Sequence, residues 1–204
     1  TKRGEMLEEY PLFLVGVDYN KAALKVTRAN LIKADIWAKV IWGDIANPKQ
    51  LEIDIRENYS IKLSDLLHMR TFLDHNRPWS TPIIAAANKE SVSTGAFATC
   101  GKRISNREVE QNLREHLEGW KPYIGSFGLL LIELHTLDPK ITQDNLGKTA
   151  ATAYDATHGF SDQYILELDV FRTVIEDIGL HSDSKHFSKF PNNELATVSI
   201  NYII

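Results

Sequence analysis

The sequence predicts an α/β fold, a mostly parallel sheet with one antiparallel strand near the C-terminus. Three observations predict it. Two apolar runs, residues 12–17 and 38–42, are each followed within two residues by an acid, Asp18 and Asp44. The strongest strand signal, residues 128–135, follows a stretch with helical spacing. Two short terminal runs, residues 186–190 and 196–203, flank the turn formers Asn192 and Asn193 and read as a hairpin-like pair.

Residues 12–17 are almost continuously apolar, as expected for a strand buried on both faces. Asn20 is a fitting N-cap for a helix over residues 21–33, whose apolar positions recur at helical spacing. A second strand is predicted over residues 38–42, and Asn47-Pro48 opens a further helix or turn. Residues 66–73 read as a third strand, running into the polar turn Asp74-His75-Asn76-Arg77-Pro78. Residues 79–102 are rich in Ala, Ser and Thr with no clear period, and predict a lid or insertion with one short helix. Ser105 with Glu108 fits a capping box for a helix over residues 107–121, with Val109, Leu113, His116, Leu117 and Trp120 on its inner stripe. Residues 149–178 read as largely helical and stop at Gly179.

The chain has 204 residues, enough for a single domain with a full core. Its formal net charge of −4 opposes a broad nucleic-acid footprint, which needs a basic face. Cys100 is the only cysteine, so no intrachain disulfide forms and a reducing, cytoplasmic setting is expected. No apolar run of about 18 residues predicts a membrane span. The first residues lack the apolar core of a signal peptide, and the chain opens on Thr1 rather than Met, as a piece of a longer protein does.

A carboxylate at the C-terminal end of a buried parallel strand can accept both vicinal hydroxyls of a ribose. Asp18 holds that position, and Asp44 with Ile45 holds the next, suited to the amine and one face of an adenine. Against this stands the plainer reading of both acids as turn or cap residues. His75 lies in a polar cluster at a strand's end, where open α/β sheets bind ligands, and also in a run of turn formers. His135 ends the strongest strand and suits a general base, a supporting role or a solvated surface position. On a continuous helix His158 and Asp162 share a face, and Gln163 converges on them if the helix bends near Gly159. Imidazole with amide and carboxylate oxygens suits a divalent iron- or manganese-like ion, while a helix start explains the same residues. His68, His116, His181 and His186 are read as structural.

Residues 15–20 and Gly43-Asp44-Ile45 resemble the second and third strands of a class I S-adenosylmethionine-dependent methyltransferase. Residues 72–77, 120–125, 128–135 and above all 149–164 are similar to the methyltransferase domains of modular polyketide synthases of the apratoxin-starter type. The resemblance runs from about residue 4 to residue 180 and implies a Rossmann-like, seven-stranded methyltransferase sheet with an antiparallel C-terminal strand. It implies S-adenosylmethionine as cofactor, held by Asp18, Tyr19, Asn20, Asp44, Ile45 and Arg70. It also implies a small-molecule or carrier-protein-bound acyl substrate, and a metal held by His158 and Gln163 that assists carbon methylation. Asp74, His75 and His135 are the candidates for taking the proton, and the residues do not choose among them.

The family's first strand and glycine-rich loop have no counterpart in these residues. The chain is therefore expected to be N-terminally incomplete, to be completed by an upstream segment or a second copy, and to bind the donor weakly alone. Two other function classes remain open at this point. A nicotinamide-dependent oxidoreductase shares the acid at the second strand but needs a Gly-x-Gly-x-x-Gly turn, which is missing. A non-catalytic methyltransferase-like interaction module needs no complete donor site.

Overall fold

The computed structural model describes residues 2–85, 90–125 and 127–204. Contacts divide the chain into two compact units, Thr1–Asp54 and Ile55–Ile204.

The first unit holds α1 (Lys2–Glu9), β1 (Leu14–Asp18), α2 (Lys21–Lys33) and β2 (Ala38–Trp42), and α3 (Pro48–Tyr59) crosses its boundary. β1 and β2 pair in parallel, with Asp18 opposite Trp42. The Asn20 side chain caps α2 by accepting from the Ala22 and Ala23 amides at 2.9 and 3.3 Å, two donors a helix start otherwise leaves free. Gly43 lets β2 leave the sheet under α3. A Cβ there would stand 2.7 Å from both Val17 Cγ1 and Leu51 Cδ1.

In the second unit a 3₁₀ turn (Leu63–Asp65) leads into β3 (His68–Thr71). The hairpin β4 (Phe97–Thr99) and β5 (Lys102–Ile104) is followed by α4 (Asn106–Ile124) and β6 (Leu129–Leu134). Next come α5 (Pro139–Asp144), α6 (Ala151–Phe160) and α7 (Leu168–Asp177). A 3₁₀ turn (Ser184–His186), β7 (Ser188–Phe190) and β8 (Val198–Ile203) close the chain. The sheet order is β3-β6-β8-β7, with β3 parallel to β6 and β8 antiparallel to both β6 and β7. Strand alternation puts Leu129, Leu131 and Glu133 on one buried face beside Ile203, Asn201 and Ser199 of β8. Leu113, Leu117, Phe171, Val174 and Ile175 of α4 and α7 pack into the same core as Leu129, Leu131 and Ile203. Each such buried side chain contributes roughly 1.5–3 kcal/mol.

The α/β class and the antiparallel C-terminal strand are as the sequence predicts, but the sheets are mixed rather than mostly parallel: among the described residues β1–β2 and β3–β6 pair in parallel, and β4–β5, β6–β8 and β7–β8 antiparallel. The single seven-stranded sheet is not what the pairing gives: among the described residues, strand hydrogen bonds form sheets of two, four and two strands. At the end of the predicted lid the chain forms the β4–β5 hairpin, turned at Cys100 and Gly101, both with positive φ. Part of that lid, residues 86–89, lies outside the described residues. The helical stretch over 149–178 is broken between α6 and α7. The capping box at Ser105 and Glu108 is present with both reciprocal bonds.

Candidate active site

In the first unit, Asp18 and Asp44 stand at the C-terminal ends of neighbouring parallel strands. The Gly43 amide donates to the Asp18 carbonyl at 3.1 Å, tying the two ends together. Each acid also holds its own turn: Asp18 Oδ1 accepts the Asn20 amide at 2.7 Å and Asp44 Oδ1 the Ala46 amide at 2.8 Å. The turn reading and the ligand reading are thus compatible, because one carboxylate oxygen serves each turn. Tyr19 is exposed and Ile45 half-buried, and the Trp42 indole donates to the Tyr19 carbonyl at 2.8 Å.

In the second unit the polar turn after β3 folds inward. Phe72 has φ of 54°, a left-handed conformation uncommon for a bulky residue. It reverses the chain so that Asp74 and His75 meet the end of β6. There Glu133, fully buried, accepts the Asp74 amide at 3.1 Å, the Leu134 amide at 2.7 Å and the Nδ1–H of His75. A carboxylate only accepts, so the His75 proton sits on Nδ1 and Nε2 carries the lone pair. His75 and Glu133 both line a small cavity of about 30 Å³.

The other candidates are held differently. His135 is buried, with Nδ1–H donating to the Leu166 carbonyl at 3.2 Å and Nε2 accepting from the Ser199 hydroxyl at 2.7 Å. Burial, against the Leu166 bond, pushes its pKa down to about 3. Asp74 faces Arg70 at 3.2 Å and accepts His116 Nε2–H at 2.9 Å. Burial alone would raise its pKa, but Arg70, His116 and Arg77 overcome that and hold it at about 2. His116 is neutral, pushed down to about 4 by burial in spite of Asp74. Arg70 lies inside the unit with its guanidinium 4.8 Å from the Trp120 ring centre, rather than on an open rim. Its contact with Asp74 is a charge contact without hydrogen-bond geometry. Arg77 Nε donates to the Asp74 carbonyl at 2.7 Å and its terminal nitrogen to Asn112 at 3.0 Å, so α4 grips the turn at Asn112 and His116.

His158 and Gln163 do approach this site, by a route other than a shared helix face. α6 ends at Phe160, Asp162 takes φ of 53°, and the Gln163 amide returns to the His158 carbonyl at 2.9 Å. That is a left-handed helix stop. It ends the helix before Asp162 and lets the Gln163 side-chain amide donate to Asn76 Oδ1. The His158 and His75 rings meet edge to face at 5.0 Å. His158 Nδ1–H donates to the Tyr154 carbonyl at 2.6 Å, which leaves Nε2 as its basic nitrogen.

A family model for the AprA MT2-like domain matches residues 1–201. The chain belongs to that family. AprA MT2-like domains are methyltransferase domains of polyketide-synthase type, so the resemblance carried by residues 149–164 points to the right family. No curated protein matches the chain. No described helix is long and apolar enough to cross a membrane.

Sequence reasoning singled out His75 but missed Glu133 as its partner and treated His116 as structural packing. The signal for Glu133 was there: a lone acid in an apolar strand, on the alternation that buries Leu129 and Leu131. An acid on a core face requires partners.

Proposed function

We propose that this family member is an S-adenosylmethionine-dependent methyltransferase that methylates an activated carbon of a small acyl, polyketide-like acceptor, free or bound to a carrier protein. The observation that carries the reading is the buried Glu133 carboxylate holding His75 by Nδ1, with the ring at a cavity. Asp18 and Asp44 suit the donor: two carboxylates at adjacent strand ends, each with one oxygen in a turn. When bound, the donor supplies an electrophilic methyl group on a positively charged sulfur.

His75 Nε2 takes the α-proton of the acceptor as general base. The electron pair left on carbon would form the new carbon–carbon bond to the methyl group, whose bond to sulfur breaks, with that pair staying on the departing neutral thioether. Glu133 fixes the tautomer and stabilises the imidazolium, and the extra proton then passes to solvent. His135, engaged at both nitrogens and pushed to a low pKa, is given a packing role rather than a proton. Asp74, ionised and bound to Arg70 and His116, is assigned to holding the turn.

A second reading adds a divalent metal at His158 and Gln163, favoured by the stop at Asp162, with His158 against the His75 ring and the Gln163 side chain on Asn76. Among the described residues no group of three His, Cys, Asp or Glu is placed to hold a metal. The donor set does not fit as it stands, and no step is routed through an ion.

The test is transfer of a labelled methyl from S-adenosylmethionine to an acyl thioester, read by mass spectrometry. Label should enter the product with the natural chain and not with His75→Ala. Equal transfer by both would overturn the assignment. Metal analysis of the natural chain and His158→Ala decides the second reading: equal metal content removes it.

A further inference from the structure

Trp42 is the last residue of β2 and is 51% exposed. Its ring is nevertheless fixed. The indole Nε1–H donates to the Tyr19 carbonyl at 2.8 Å, and the next amide, that of Gly43, donates to the Asp18 carbonyl at 3.1 Å. Two consecutive residues of the β2 end therefore grip two consecutive carbonyls of the β1 end, and the indole reaches from one strand end to the other. Strand register sets Trp42 directly opposite Asp18. A Cβ on Gly16 would stand 3.7 Å from Val40 Cγ2, so Gly16 and Val40 share a face of the strand pair. Asp18 and Trp42, each two residues further on, share it too. Asp44 follows two residues after Trp42 and gives one oxygen to its own turn. A flat apolar ring, held by its polar edge, thus stands at the strand ends that carry both carboxylates. As a strap between the strands the indole needs only its N–H. The exposed apolar surface is what a strap leaves unused, and a planar purine covers such a surface by stacking.

We propose that Trp42 is a donor-binding residue, the platform on which the adenine of S-adenosylmethionine stacks. The inference rests on the methyl-donor reading of Asp18 and Asp44, and adds to it a residue and the part of the donor which that residue holds. Asp18 has one oxygen in its turn and offers the other to the ribose. Asp44 is placed in the same way for the exocyclic amine. Neither carboxylate covers the face of the base, and the indole supplies that contact. Because its hydrogen bond already fixes the ring, little freedom is lost when a base settles on it.

The test removes the ring and the base separately. The probes are S-adenosylhomocysteine and S-ribosylhomocysteine, which keeps the sugar and the amino acid and lacks the adenine. Affinity is measured by calorimetric titration, and tryptophan emission is followed alongside. For S-adenosylhomocysteine, Trp42→Ala should weaken binding by about tenfold or more, and Trp42→Phe, which keeps a ring without the N–H, by about threefold or less. S-ribosylhomocysteine should bind the natural chain and both variants alike. S-adenosylhomocysteine should quench emission in the natural chain and not in Trp42→Phe. An equal loss for both probes in Trp42→Ala would mean that the indole only straps the strand ends, and would overturn the inference with the donor reading intact. Full affinity of Trp42→Ala for S-adenosylhomocysteine, or quenching that persists in Trp42→Phe, would do the same. Asp18→Ala decides the donor reading and should weaken both probes. If it weakens neither, or if the natural chain binds neither, that reading fails and the platform fails with it.

Discussion

Glu133 on β6 holds His75, 58 positions earlier in the chain, through Nδ1, while two backbone amides hold Glu133. This makes the His75 ring direction a property of the sheet rather than of its own flexible turn. Glu133→Gln keeps the shape and removes the charge that supports an imidazolium. Methyl transfer should fall by about 10²–10⁴-fold. Unchanged transfer in Glu133→Gln, with the fold intact by circular dichroism, would remove Glu133 from the mechanism.

Acid should unfold the second unit through its neutral histidines. The unfolded chain gains a proton at His116 and His135 below their ordinary value of 6.5, whereas the folded chain resists until about 4 and about 3. The unfolded state therefore binds more protons across that window, and stability falls as pH drops from about 6.5 toward 4. Each group contributes up to about 1.4 kcal/mol per pH unit. Asp74 acts lower: its ordinary value is 3.8 and its folded value about 2, so its contribution is present above 3.8 and lost as pH falls toward 2. Urea midpoints at pH 7.5, 6 and 5 should decline steadily, and His135→Asn should flatten the decline. A midpoint constant over that range would contradict the assignment of neutral, buried rings.

Asp74→Asn should be among the most damaging single changes. It leaves the Arg70 charge buried with its facing carboxylate gone, and breaking a buried pair from one side costs about 3–5 kcal/mol. The guanidinium lacks hydrogen-bond partners at all three nitrogens among the described residues, so its support is the charge of Asp74 first and of Glu133 second. Adding Arg70→Met to Asp74→Asn should restore much of the loss, because the apolar stem can still cover Trp120. Chemical denaturation of the two variants gives the comparison. A double variant no more stable than the single one would show that Arg70 is held by something other than Asp74.

The elements legible in the sequence were those whose signal is local. Asn20 and Ser105 cap their helices because the cap and its amides lie within three residues of each other. The two parallel strand pairs follow from apolar runs joined through helices. What could not be read depends on distant partners. The tautomer of His75 is set from β6, and the double engagement of His135 is set by Leu166 and Ser199. The β4–β5 hairpin was not foreseen because its strands are too short to show a period. It is fastened from elsewhere, by the Tyr164 hydroxyl donating to the Ala98 carbonyl at 3.1 Å and Phe97 packing on Tyr164. His158 and Gln163 both lie near the turn after β3, but their approach depends on a left-handed residue that helical spacing does not reveal.

Gly128 is a second place where backbone shape matters, at the start of β6. Its φ is +73°, and a Cβ there would lie 2.6 Å from the Ile203 carbonyl oxygen. That carbonyl belongs to β8, which pairs with β6 from Leu129 onward. Gly128→Ala should cost about 1–3 kcal/mol through the unfavourable backbone and the displaced strand end. The measurement is the shift in thermal midpoint. A shift within experimental error would mean that the chain before β6 can relax without disturbing the pairing.

Asp162 tests whether the helix stop is what delivers Gln163. A left-handed residue costs roughly 1–2 kcal/mol for most side chains, less for Asp and almost nothing for Gly. Asp162→Gly should therefore hold or raise stability and keep the Gln163 amide bonded to the His158 carbonyl. Asp162→Val should oppose that conformation, because a branched side chain tolerates it worst. The Gln163 amide should then exchange with deuterium faster, by an amount that matches the stability lost, and the Gln163–Asn76 contact should be lost with it. Equal exchange at Gln163 in the two variants would mean that the segment between α6 and α7 is held by its other attachments. One is the Glu167 carboxylate, which accepts from the Thr94 amide and hydroxyl at 2.7 Å each.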